Sequence, residues 1–370
     1  MLVATGAAVA LVLAGPWVGA FRGWLRGLLA GRFGLVVNAS MAVLATAAVG
    51  AVLLAIRDRR AWRYAALAAA IALAALSAAV GASASAEANA VERFHFLEYG
   101  VVAWLFYRAV RPARPPADLS LFVLPVLAGV LVGVADEGLQ WFVPDRTGEV
   151  RDIAINLAAV CAGLVASLAI SPPERFQIRL TPEGRRRIGW TAAAAVLALA
   201  VFMRVVHLGV VIHDPEAGTF VSRYSAEDLR RFARDRAERW AVEPPPLTLP
   251  TFAREDQYLA EGLWHVRARN AAWATDVGRA WGENRILERY FAPVLDTPTY
   301  FTPSGAGWPA LQRADAERRA AALGSHAFVS RAEPTPGYLR MWPKPVFWSV
   351  AAVLTAALAI FGGVSQPADS

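Results

Sequence analysis

Charge and cysteine are both scarce in this chain of 370 residues: 18% of positions are Asp, Glu, Lys or Arg, and Cys161 is the single cysteine. One cysteine cannot close an internal disulfide, and its place inside an apolar run assigns it to packing. The chain also lacks the short signatures of familiar chemistry. It has no HExxH or paired Cys/His spacing for zinc, no nucleophile elbow, no phosphate loop and no dinucleotide fingerprint. Internal repeats and long low-complexity linkers are missing too. No basic residue precedes the first apolar run, which argues against a cleaved secretory signal with its positive leading region.

Hydrophobic residues, by contrast, make up 56% of the chain, above the usual share of a soluble domain. Apolar runs at 2–20, 34–56, 62–81, 94–110, 119–142, 153–170, 188–211 and 346–364 approach the roughly 20 residues that cross a bilayer. The first and third are Ala-rich and weak. The expected fold class is therefore all-α: a polytopic transmembrane helical bundle of about 8 spans, with an inserted helical extracytoplasmic domain. The expected organisation is scaffold helices over 1–86, a membrane domain over 87–171, a basic loop and seventh span over 172–211, the inserted domain over 212–343, and a last span and tail over 344–370.

A net charge of +7 is compatible with a nucleic-acid binder, but its location decides otherwise. Positions 212–343 hold 17 Asp plus Glu and 17 Arg, so the whole excess belongs to the membrane portion. Short Arg-rich loops there follow the positive-inside pattern. Arg57, Arg59, Arg60 and Arg63 follow span two, Arg108, Arg111 and Arg114 follow span four, and Arg175, Arg179, Arg185, Arg186 and Arg187 follow span six. These loops alternate, so all three can face the cytoplasm of a cell membrane, leaving 212–343 extracytoplasmic. Membrane lipids are the implied partners and nucleic acid is not. Arg22, Arg26 and Arg32 disagree if the first run spans, which leaves an interfacial helix over 21–33 as the alternative.

The costly residues lie in spans four to six. An ionisable group at the bilayer centre costs about 3 kcal/mol or more and marks a functional site by default. His95, Glu98 and Tyr99 follow Glu92 and Arg93 at helical spacing near the start of span four. Gly129, Gly133, Glu137 and Gln140 share one face of span five, beside Asp136. Asp152, Asn156 and Gly163 share one face of span six, and Arg146 lies in the connecting loop. By the alternation of loops, all these polar ends reach one leaflet.

The blocks ERFHFLEYG, DEGLQWFVPDR and DIAIN resemble, in order and spacing, the VanZ-like membrane proteins over about 92–170. The resemblance implies a small helical-bundle membrane domain, linked in its namesake to reduced susceptibility to the glycopeptide teicoplanin. It carries over His95, Tyr99, Asp136, Glu137, Gln140, Arg146, Asp152 and Asn156 as candidate binding residues but not their biochemical mechanism; a lipid-linked cell-wall precursor or glycopeptide is the ligand expected if they form an outward polar pocket. Asp145 stands where a glycine is common, and Ala159 where a glycine usually follows the Asn.

Three function classes follow: a ligand-binding envelope protein, a membrane enzyme using His95, Glu98 and Glu137, and a transporter. Purely structural ion pairing is the bland alternative to all of them. The transporter fits least, because the inner halves of spans four to six are almost wholly apolar. The carboxylates with His95 are ligand types for a divalent ion, yet Arg146 can neutralise them, so no metal or other cofactor is expected. Asp136 and Glu137 point about 100° apart on a helix, which weakens them as an acid pair.

Elsewhere, Arg204 and His207 are expected to snorkel to the interface. Helices are expected over 226–240, 254–270, 271–291 and 311–323. Glu261 and His265 lie opposite the stripe of Leu259, Leu263 and Val266, which predicts a solvated face.

Overall fold

A computed structural model describes residues 1–80, 86–112, 116–141, 148–242, 254–299, 302, 304–322, 327–332 and 342–363. Helices dominate: α1 (Leu2–Leu29), α2 (Phe33–Ala55), α3 (Ala61–Val80), α4 (Ala86–Val110), α5 (Ser120–Gln140), α6 (Val150–Ile170) and α7 (Pro182–Val206) come first. A hairpin of β1 (Val210–Asp214) and β2 (Gly218–Ser222) follows, then α8 (Ala226–Val242), α9 (Arg254–Ala272), α10 (Val277–Tyr290), α11 (Ala292–Asp296), α12 (Ala310–Ala321) and α13 (Lys344–Gly363). Each of the eight expected spans coincides with one long helix. Six of these, α2, α3, α5, α6, α7 and α13, are long and apolar enough to cross a membrane. The protein is a multi-pass, all-α membrane bundle. The other two, α1 and α4, carry arginines or acids within their length.

The chain divides into two units, Met1–Leu139 with Gly148–Val201 and Phe347–Ser370, and Gln140–Thr147 with Phe202–Val346. In the first, small residues let backbones meet, as expected where lipid supplies no hydrophobic drive between helices. A Cβ on Gly163 of α6 would lie 2.6 Å from Gly100 Cα of α4, and one on Gly129 of α5 would lie 2.5 Å from Val160. Gly189 of α7 and Gly362 of α13 are similarly close. Tyr99, Ala103, Ala159 and Val160 fill the resulting core, and Ala4 and Ala8 of α1 join them.

At the Arg-rich end of this unit, Asp118 forms a clasp. Its carboxylate accepts from the Ser120 N–H at 2.8 Å, capping α5, and from the Thr181 N–H at 2.8 Å and hydroxyl at 2.6 Å, just before α7. Burial alone would raise the Asp118 pKa, but the donors from Ser120 and Thr181 prevail and hold it below the usual carboxylate value.

The second unit contains the hairpin, which the sequence reading missed: span seven was expected to reach 211, but α7 stops at Val206 and Val210–Asp214 is strand. Asp214 closes the turn through the N–H groups of Glu216 and Ala217 at 2.8 and 2.9 Å. It also accepts from Tyr290 Oη at 2.7 Å and Arg289 Nε at 2.6 Å. Against the upward push of burial, the Tyr290, Ala217, Glu216 and Arg289 donors bring its pKa down to about 2. Gly218 adopts φ +105°, and a Cβ there would meet Phe328 O at 2.6 Å, so the position requires glycine.

Ser225 caps α8 by accepting from the Asp228 N–H at 3.1 Å. The expected helix over 271–291 is instead broken at 273–276, where Asp276 accepts from the Arg279 N–H at 2.9 Å and starts α10 at Val277. Pro244–Pro246, three prolines in a row at which the sequence is expected to break the chain, lie outside the described residues. Phe220, Leu229, Tyr258, Leu259, Ile286, Tyr290 and Phe291 form the core of this unit.

Candidate functional site

The polar ends of α4, α5 and α6 meet. On α4, Tyr99 is wholly buried and its hydroxyl donates to Asp136 Oδ2 of α5 at 3.1 Å. Glu137, the next residue, turns the other way: its Oε2 accepts from the Glu149 N–H, at the start of α6, at 3.0 Å. Asp136 and Glu137 are 3% and 2% exposed, so two neighbouring carboxylates lie buried and serve partners on different helices. The 100° between successive helical residues dictates that division. One acid ties α5 to α4, and the other ties α5 to α6.

Asn156 of α6 is buried beneath Gly133, where a glycine Cβ would stand 3.8 Å from the Asn156 Cβ. His95 and Glu98 form a rim pair, with Nδ1 to Oε2 at 3.1 Å, on the same face as Tyr99, whose ring centroid is 6.2 Å from that of His95. Asp152 stays a third exposed, with Arg151 Nη1 at 3.9 Å. Gln140 is buried at the end of α5. Arg146, together with the side chains of Glu92 and Arg93, lies outside the described residues.

One wall of this cluster was not anticipated. Helix α1, read as scaffold, passes over Asp136: a Cβ on Gly15 would sit 3.6 Å from Asp136 Oδ1. It therefore runs from the Phe106 level of α4, where Ala4 and Ala8 pack, to the acidic end. An interfacial helix confined to 21–33 is excluded, because α1 is continuous from Leu2 to Leu29. Glu149 was missed as well, since its contribution is a backbone N–H that carries no residue signature.

Residues 76–171 match the VanZ/LLP1 family model. The segment runs from the end of α3 through α6 and contains every residue of the acidic cluster. This agrees with the resemblance drawn from the three sequence blocks and extends it towards the N-terminus. The VanZ-like segment covers α4, α5 and α6, whose packing supplies the Tyr99–Asp136 and Glu137–Glu149 contacts. No curated protein and no solved structure matches the chain.

The second unit holds a separate polar array, and here the sequence reading is corrected. Glu261 and His265 were expected on a solvated face; they are 0% and 1% exposed. Helix α9 is covered on both sides, so its apolar stripe marks only one of two buried faces. His265 Nδ1 lies 2.7 Å from Glu283 Oε2 of α10, and Glu283 Oε1 accepts from Ser330 Oγ at 2.7 Å. Arg223 stacks between Trp141 and Trp264, at 4.1 and 4.2 Å, and its backbone N–H donates to Glu261 at 3.3 Å. Burial lowers the Arg223 pKa to about 10 and raises that of Glu261, with Arg223 opposing the latter shift.

Arg269, one turn further along α9, donates to Asn284 at 3.0 Å and to Ala306 O at 2.6 Å. The spacing 261, 265, 269 was the available signal, because three ionisable residues four apart on one helix need a partner surface. His207 is buried rather than interfacial, and Arg204 donates to Leu208 O at 3.1 Å. Among the described residues no cluster of His, Cys, Asp and Glu is arranged to hold a metal ion.

Proposed function

We propose that the acidic end of the VanZ-like segment is the binding site for a polar cell-envelope ligand, a glycopeptide or a lipid-linked wall precursor, on the outer side of the cell membrane. The observation that carries this reading is the burial of Asp136 and Glu137 side by side at the end of an apolar helix. A structural helix contact needs neither charge, and groups this costly at membrane depth are retained for what they bind. Asp136 accepts from Tyr99 and Glu137 from the Glu149 N–H, and a carboxylate has capacity for several donors, ligand hydroxyls or amides included. The alternation of Arg-rich loops supports the outward orientation of this end and of 212–343.

A second reading, a membrane enzyme acting on the same class of ligand, is favoured by one observation: Glu98 Oε2 lies 3.1 Å from His95 Nδ1, so a carboxylate stands beside an imidazole that could act as a general base. Replacing His95, Asp136 or Glu137 by Ala and measuring teicoplanin susceptibility at matched membrane levels tests the site. Unchanged susceptibility in all of these variants rejects it. Incubating purified protein with lipid-linked wall precursors and weighing the products by mass spectrometry separates the readings: binding without turnover supports the first, and a changed mass supports the second.

A further inference from the structure

At the opposite, Arg-rich end of the first unit lies a cavity of about 670 Å³, within the range typical of ligand sites. Phe106 and Val110 of α4 and Leu124 of α5 form its apolar walls, while α7 contributes Arg186, Arg187 and Trp190 from a single turn. We propose that this cavity binds an anionic phospholipid, with an acyl chain against the apolar walls and the phosphate against the two guanidinium groups.

Charge complementarity identifies the occupant. Both arginines are exposed at the mouth, and Arg187 is partly neutralised by Glu183 one turn earlier. Arg186 has no carboxylate partner among the described residues. A cation left over beside an apolar wall suits an amphiphile with one negative group, and basic pockets between membrane helices recognise lipid phosphates in this way. Trp190 is 58% exposed one turn beyond Arg186, the depth at which indoles sit in a bilayer interface. The Asp118 clasp fixes the mouth by tying the start of α5 to the start of α7. Arg111 is directed elsewhere, to Pro172 O at 3.1 Å, so it does not compete for the phosphate.

The test is native mass spectrometry of the full-length protein with phosphatidylglycerol or phosphatidylcholine added in equal amounts. Wild type should retain one phosphatidylglycerol at least about tenfold in preference to phosphatidylcholine. R186Q/R187Q should lose that preference, whereas R175Q/R179Q, which removes the same charge outside the cavity, should keep it. Ala128 of α5 also lines the cavity, so A128L narrows its apolar part with both arginines in place, and should weaken retention of both lipids while the protein stays folded by circular dichroism. Inorganic phosphate at millimolar concentration should not displace the lipid. Equal retention of the two lipids by wild type, equal loss in the two double variants, or displacement by phosphate would overturn the proposal.

Discussion

Substituting Gly163 by Ala puts a close backbone contact of the bundle under direct strain. The new methyl group would stand 2.6 Å from Gly100 Cα and 2.7 Å from Gly100 O, where ordinary contact begins near 3.4 Å. Neither obstacle is a side chain that can rotate away, so α4 and α6 must separate by about 1 Å along this contact. Overpacking of that kind costs about 1–3 kcal/mol. Gly50 of α2 is the control: it also lies inside a membrane helix, but nothing stands within 4 Å of its Cβ position. There, Ala should be neutral or stabilise by up to about 1 kcal/mol, because it restricts the unfolded chain. Both variants can be followed in full-length protein in mixed micelles, by helix content against increasing SDS. The reasoning requires opposite or clearly separated shifts. If G163A unfolds at the same SDS fraction as G50A, α4 and α6 do not touch at Gly100.

Three further outcomes follow from the side-chain geometry. E137A should lower stability by about 1–3 kcal/mol by leaving the Glu149 N–H without its acceptor, and E137Q, which keeps a carbonyl oxygen there, should lose less in the same SDS titration. Asp214, with a folded pKa of about 2, contributes stability that is present above its unfolded value near 4 and lost as pH falls through 2; the shift corresponds to about 2 kcal/mol. The melting temperature of D214N should therefore lie below wild type at pH 7 and converge with it near pH 2, and a constant gap would contradict this. H265L removes one of the two partners of the buried Glu283 and should cost about 1–3 kcal/mol, read as faster amide exchange across α9 and α10, whereas unchanged exchange would contradict the contact.

Much of the membrane unit was legible because lipid makes its demand in composition. A run such as 34–56 or 153–170 has to be apolar throughout, and α2 and α6 begin within three residues of those estimates. The acidic cluster was legible for the complementary reason: Asp136, Glu137 and Asn156 are out of place in such a run. Helix ends set by local capping were harder, as at Asp276, where one side chain starts α10 at Val277 although periodicity starts that helix at 271. The hairpin was hidden because Val210 and Val211 continue the apolar character of α7, and nothing in hydropathy marks the change of period. Buried polar pairs such as His265–Glu283 join residues 18 apart on two helices, and a face that looks solvated on one helix is completed only by the other. The place of α1 against Asp136 rests on a glycine, a residue that signals contact by having no side chain at all.

The central claim is that α4 and α5 bring their polar ends into one buried contact, and a double-mutant cycle on Tyr99 and Asp136 tests it most directly. Y99F, D136N and the double variant would be compared by unfolding of the full-length protein in mixed micelles. The 3.1 Å bond predicts that the two substitutions are coupled by about 0.5–3 kcal/mol. Strictly additive effects would contradict it.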